Sequence, residues 1–97
     1  MLGIFDSGLG GLTVLRHVRA RLPNEDIVYL ADQAHVPYGD RNEDDLVQLL
    51  AHNVAILESD GVDVIVMGCN TTCAVAAVRG WPAARVPILD LIAAAAS

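Results

Sequence analysis

The chain has 97 residues, of which 54% are apolar, 19% charged and 4% aromatic, and its formal net charge is −6. That length fits one domain burying roughly two-thirds of its unfolded surface, and the apolar content excludes disorder. A net negative field, with six basic residues that are all arginine, opposes nucleic acid and anionic membranes as partners.

In chain order, strands and helices alternate. Leu2–Phe5 is a short apolar run and a first strand; the loop Asp6-Ser7-Gly8-Leu9-Gly10-Gly11 follows. Leu12, Leu15, Val18 and Leu22 then recur at three- and four-residue steps, which predicts a helix ended by Pro23-Asn24. Arg16, Arg19 and Arg21 fall between these positions and form its solvated face. Ile27–Ala31 is a second strand, followed by a polar loop from Asp32 to Arg41.

The next helix has the strongest end signals. Asn42 is a good N-cap, Glu43, Asp44 and Asp45 suit the positive end of the helix dipole, and Gly61 lies past the end. Leu46, Val47, Leu50, Val54 and Leu57 form its stripe, widened by Leu49 and Ile56. Val62–Met67 reads as a central strand covered on both faces. Asn70 to Arg79 is a short Ala/Val helix broken by Gly80-Trp81-Pro82, and Val86–Asp90 is a fourth strand. This order predicts an α/β fold: an open, mainly parallel four-stranded sheet with helices on both faces. Leu91–Ser97 adds an apolar, alanine-rich stretch with no cap and no polar face.

No apolar run reaches the ~18 residues of a membrane span, and no basic stretch precedes an apolar segment, so the expectation is a soluble, cytoplasmic protein. Cys69 and Cys73, four apart, form neither a disulfide framework nor a CxxC pair. His17, His35 and His52 are scattered without ligand spacing. Neither a metal nor a cofactor is expected.

In open parallel sheets, ligands bind outside the carboxyl ends of the strands. The loops Asp6–Gly11, Asp32–Gly39 and Gly68–Thr72 all leave strands at that edge, and every unusual polar cluster falls in one of them. Gly8-x-Gly10 is only a partial dinucleotide fingerprint, because Thr13 stands at the third glycine position. Its acidic partner would be Glu25, Asp26 or Asp32, none well placed on a strand tip. A tight turn that offers backbone N–H groups to a small carboxylate is the simpler reading, with Ser7 as a further donor.

Cys69 is the sharper case. It ends an apolar strand behind Gly68 and stands at a helix start, a setting that favours a thiolate. Cys73 falls inside the following helix and reads as core packing. Asp6 is a carboxylate at the tip of another apolar strand, either capping the next turn or serving as a proton relay or orienter for the thiol.

Three segments in register carry a resemblance. They are Phe5-Asp6-Ser7-Gly8-Leu9-Gly10-Gly11-Leu12-Thr13-Val14, then Tyr29-Leu30-Ala31-Asp32 with Val36-Pro37-Tyr38-Gly39, then Cys69-Asn70-Thr71. Over residues 2 to 90 the chain resembles the N-terminal half of glutamate racemases, in the aspartate/glutamate racemase superfamily. The resemblance implies a flavodoxin-like half-domain and a cofactor-independent enzyme that interconverts L- and D-glutamate for peptidoglycan synthesis. It makes Cys69 one of two catalytic thiols, with Asp6 beside it. Asp6, Ser7, Pro37, Tyr38, Gly39, Asn70 and Thr71 would contact the amino acid.

Two departures accompany the resemblance. The family's second thiol, in a Cys-Thr-His motif, has no counterpart in the chain. Leu91-Ile92-Ala93-Ala94 also stands where the family carries an Ile-x-Pro segment. The expectation is therefore a single truncated racemase domain over 1–97, without the second catalytic domain and inefficient alone. A non-catalytic binding module with an inert Cys69, pairing through its sheet edge or C-terminus, is the alternative of a different class. Racemisation of aspartate or another small acid, or thiol-dependent isomerisation, is the alternative within the superfamily.

Overall fold

The computed structural model describes residues 1–6, 11–32 and 38–90, the side chains at 11–14, 39 and 70 excepted. Its strands are β1 (Leu2–Asp6), β2 (Ile27–Ala31), β3 (Val64–Met67) and β4 (Ile88–Asp90). The helices are α1 (Gly11–Arg21), α2 (Glu43–Ser59) and α3 (Asn70–Arg79), with a 3₁₀ turn at Tyr38–Asp40. All strand pairs are parallel, in the order β2-β1-β3-β4. β1 is central, with Ile4 opposite Tyr29 on one side and Val66 on the other.

Alternation along β1 separates two cores. Leu2 and Ile4 join Val66 on one face, against Leu15 and Val18 of α1. Phe5 points to the other face, where Ile65 and Met67 meet Leu46, Leu49, Leu50, Val54 and Leu57 of α2, and Cys73 and Ala76 of α3. Helices thus cover both faces, as the strand–helix alternation predicts.

The ends of the elements have local causes. Asn42 is the N-cap of α2, its side chain accepting from the Asp45 N–H at 2.8 Å, and Gly61 follows the helix at a φ of 88°. Leu22, placed on the α1 stripe by its spacing, is instead 49% exposed, because the helix ends at Arg21 and the chain turns away. The third strand starts at Val64 rather than Val62, although Val62 is buried. The fourth starts at Ile88 rather than Val86. Pro87 lends its carbonyl to the Ile65 N–H at 2.9 Å but has no N–H to give the ladder.

Candidate active site

Three described structural pieces meet beside the carboxyl end of β1 and β3: the residue after β2, the 3₁₀ turn, and the start of α3. Gly68 extends the ladder past β3 by donating to the Phe5 carbonyl at 3.0 Å. Cys69 then caps α3. Its backbone is extended, and its Sγ accepts the Thr72 N–H at 3.4 Å. A sulfur so placed receives the positive end of the helix.

Cys69 is 3% exposed and belongs to the same core cluster as Tyr38. One turn further, Cys73 is also buried, its Sγ 3.8 Å from the Met67 carbonyl. It is a core residue, as its position in the helix suggests.

Beside the thiol lies a buried polar network that sequence reasoning missed. Tyr38 donates its hydroxyl to Asp32 Oδ2 at 2.5 Å. Asn53, reaching in from α2, donates through Nδ2 to the Tyr38 hydroxyl at 3.2 Å and to Asp32 Oδ2 at 3.4 Å. Burial pushes the Tyr38 phenol well above its ordinary range; the bond to Asp32 and that carboxylate's charge push the same way, and nearby Cys69 adds to them. The Asn53 bond opposes the shift. The Tyr38 ring is tilted against Phe5, with centroids 6.4 Å apart. Its hydroxyl is therefore engaged within the protein.

Asp32 corrects one reading of the sequence. It directly follows β2, and its N–H bonds the Asp6 carbonyl at 3.0 Å, so it does stand at a strand tip. Its carboxylate, however, is buried against Tyr38 and Asn53 and is not presented to a ribose.

Asp6 is buried at the tip of β1. Its parity along the strand puts it with Leu2 and Ile4 on the α1 face, and its charge helps raise the Tyr29 pKa, second to burial. Cys69, Tyr38 and Asp32 are thus brought together, and Asp6 ends β1 at the same carboxyl edge of the sheet. Thr71 is half-buried in the first turn of α3. Ser7 and Pro37 lie outside the described residues, as does the Asn70 side chain. An open groove of about 560 Å³ runs between α1 and β2, past Leu15, Arg19 and Tyr29, and among the described residues no sequence-predicted site residue lines it.

Comparison with known proteins decides the kinship. No protein-family model matches the chain. A glutamate racemase of Picosynechococcus is 46% identical over 91 residues, which is 94% of this chain and 33% of that protein. Along nearly its whole length the chain is similar to about a third of a glutamate racemase. It spans about a third of the length of the curated relatives it matches. The solved glutamate racemase of Aquifex pyrophilus superposes with a TM-score of 0.87 at 46% identity, covering 95% of this chain and 36% of that one. That of Francisella tularensis, in complex with D-glutamate, has a TM-score of 0.82 at 35% identity, covering 96% and 36%.

Proposed function

We propose that this chain carries one half of a cofactor-independent glutamate racemase site, with Cys69 as the acid–base group on one face of the substrate's Cα. The observation that carries the reading is Cys69 Sγ at the first turn of α3, on the ligand-binding edge of a parallel sheet. A thiol there can take an α-proton while donor groups around it receive the charge that develops on the carboxylate. Likeness to proteins named glutamate racemase supports glutamate over aspartate as substrate.

In this reading Asp6 matches the substrate's ammonium group. Ser7, Asn70 and Thr71 supply donors for its carboxylates. The Tyr38 hydroxyl being engaged, Tyr38 and Gly39 contribute main-chain N–H groups at the start of the 3₁₀ turn, where no acceptor exists within the turn, and Pro37 shapes the approach. A cytoplasmic site of action belongs to the same proposal, as does pairing with a second copy along the β4 edge, where Leu89 is 51% exposed.

The test is incubation of the 97-residue chain with L-glutamate in deuterated water. One working thiol gives slow α-proton exchange with retained configuration, lost in Cys69→Ser. Full turnover to D-glutamate would refute the single-base assignment, and no exchange at all would refute the catalytic one.

The 3% exposure of Cys69 favours a second reading, a non-catalytic small-ligand module. Alkylation separates the two: a Cys69 that reacts no faster than a model thiol near neutral pH supports the inert sulfur.

A further inference from the structure

Asn53 is a polar residue in the middle of an apolar stripe. Leu46, Leu49, Leu50, Val54 and Leu57 surround it on the buried face of α2, and it is itself 3% exposed. An amide in such a position lowers stability unless its hydrogen bonds are made, and a leucine there would pack without that cost. Its donors are both used, on Tyr38 and on Asp32.

The chemistry fixes the amide's orientation. Asp32 Oδ2 already receives the Tyr38 proton and accepts further bonds only from donors, so Asn53 must turn Nδ2 toward the pair. The result ties three separate pieces of chain to one another: the residue after β2, the turn at Tyr38–Asp40 and the middle of α2.

We propose that Asn53 is a positioning residue: by donating to Tyr38 and Asp32 at once, it fixes the Tyr38 turn against Cys69. The inference deepens the racemase reading and rests on it for its functional meaning. Its geometric content, the holding of the turn in the buried cluster that also contains Cys69, is read independently of substrate.

The experiment compares the wild-type chain with Asn53→Leu and Asn53→Asp. The rate of Cys69 alkylation by iodoacetamide is followed by peptide mass, which separates Cys69 from Cys73, with and without L-glutamate. Asn53→Leu keeps an apolar stripe intact and is expected to fold, with the two lost bonds to Tyr38 and Asp32 lowering its urea midpoint. With the turn released, its Cys69 alkylates about threefold to tenfold faster without ligand, the range one lost hydrogen bond allows. Glutamate protection weakens by a similar factor.

Asn53→Asp puts a second carboxyl within reach of the Asp32 oxygen, and two such groups cannot both ionise there. Among the described residues, the titratable groups of this cluster are Asp32 after β2, Tyr38 in the turn and Cys69 at the start of α3. Protonated, the new carboxyl donates one of the amide's two bonds; ionised, it donates neither and repels Asp32. The variant therefore alkylates nearest the wild-type rate in mild acid and departs further from it as pH rises, a pH dependence that a purely structural defect would not show.

A folded Asn53→Leu with an unchanged alkylation rate overturns the proposal, and so does an Asn53→Asp variant whose ratio to wild type is flat with pH. If glutamate protects neither wild type nor variants, the racemase reading fails, while the ligand-free rates still decide the role of Asn53.

Discussion

Replacing Tyr38 by phenylalanine removes one oxygen from the buried network and leaves the ring against Phe5 in place. The lost bond is the hydroxyl's donation to the Asp32 carboxylate at 2.5 Å, and the hydroxyl's acceptance from Asn53 at 3.2 Å goes with it. Hydrogen bonds to charged groups contribute about 1.5–3 kcal/mol, more than neutral ones, because the partner left behind is a desolvated charge. Asp32 is 9% exposed and keeps the Asn53 contact at 3.4 Å, too long to replace the phenol. The expected loss for Tyr38→Phe is therefore about 1.5–3 kcal/mol. In a domain of this size that lowers the melting temperature by about 6–24 °C. Urea unfolding followed by Trp81 fluorescence measures it, with an unchanged slope marking an unchanged native fold. A loss below about 0.5 kcal/mol would mean that Asp32 is neutral or solvated in the folded chain, and the network would not hold the turn.

Two further outcomes follow from the same coordinates. The Tyr38 pKa is raised in the folded chain, so its contribution to stability is complete below the ordinary phenol value of 10.0 and declines as pH rises beyond it. Tyr29, also raised, adds in the same direction. Urea midpoints measured across the alkaline range should fall from about pH 10 upward, and less steeply in Tyr38→Phe. On β1, a Cβ at Gly3 would stand 3.1 Å and 3.3 Å from the two methyls of Val62 and 3.4 Å from Leu57 Cδ2. Gly3→Ala should thus cost about 1–3 kcal/mol by the same urea assay, unless α2 shifts away from the sheet.

Periodicity and end signals made most of the fold legible. The α2 helix begins at its cap because Asn42 satisfies a backbone donor locally, which a sequence can reveal. The start of β4 was less visible. Pro87 has no N–H to pair, yet its carbonyl still joins the ladder, so the apolar run is longer than the strand.

The site divided in the same way. Cys69 was legible because a strand and a helix start flank it in sequence. Asn53 was not, though a signal existed: positions 46, 49, 50, 53, 54 and 57 are the repeat of one buried helix face, and Asn53 is its polar member. Its partners lie 15 and 21 residues away, and no local pattern joins them. Asp32 is legible as the start of a strand-edge loop and as part of a resembling segment, but not as the partner of Tyr38, since nothing local shows that a tyrosine six residues on turns back to it.

The geometry of α3 explains why one thiol does not become two. Racemisation by proton transfer takes an acid–base group on each side of Cα, so that the proton leaves one face and returns to the other. The chain has two cysteines, and both lie on α3. A step of four residues is about one helical turn, which sets Cys73 on the same side as Cys69 and about 6 Å further along the axis. There its Sγ lies against the Met67 carbonyl within the core. No rotation of either side chain carries it past Cα to the opposite face. In the proposed site both thiols thus stand on one side of Cα, and a proton taken by Cys69 returns from where it left. Retention during exchange is the expected mark of this arrangement, and inversion would require an acid–base group that α3 does not supply.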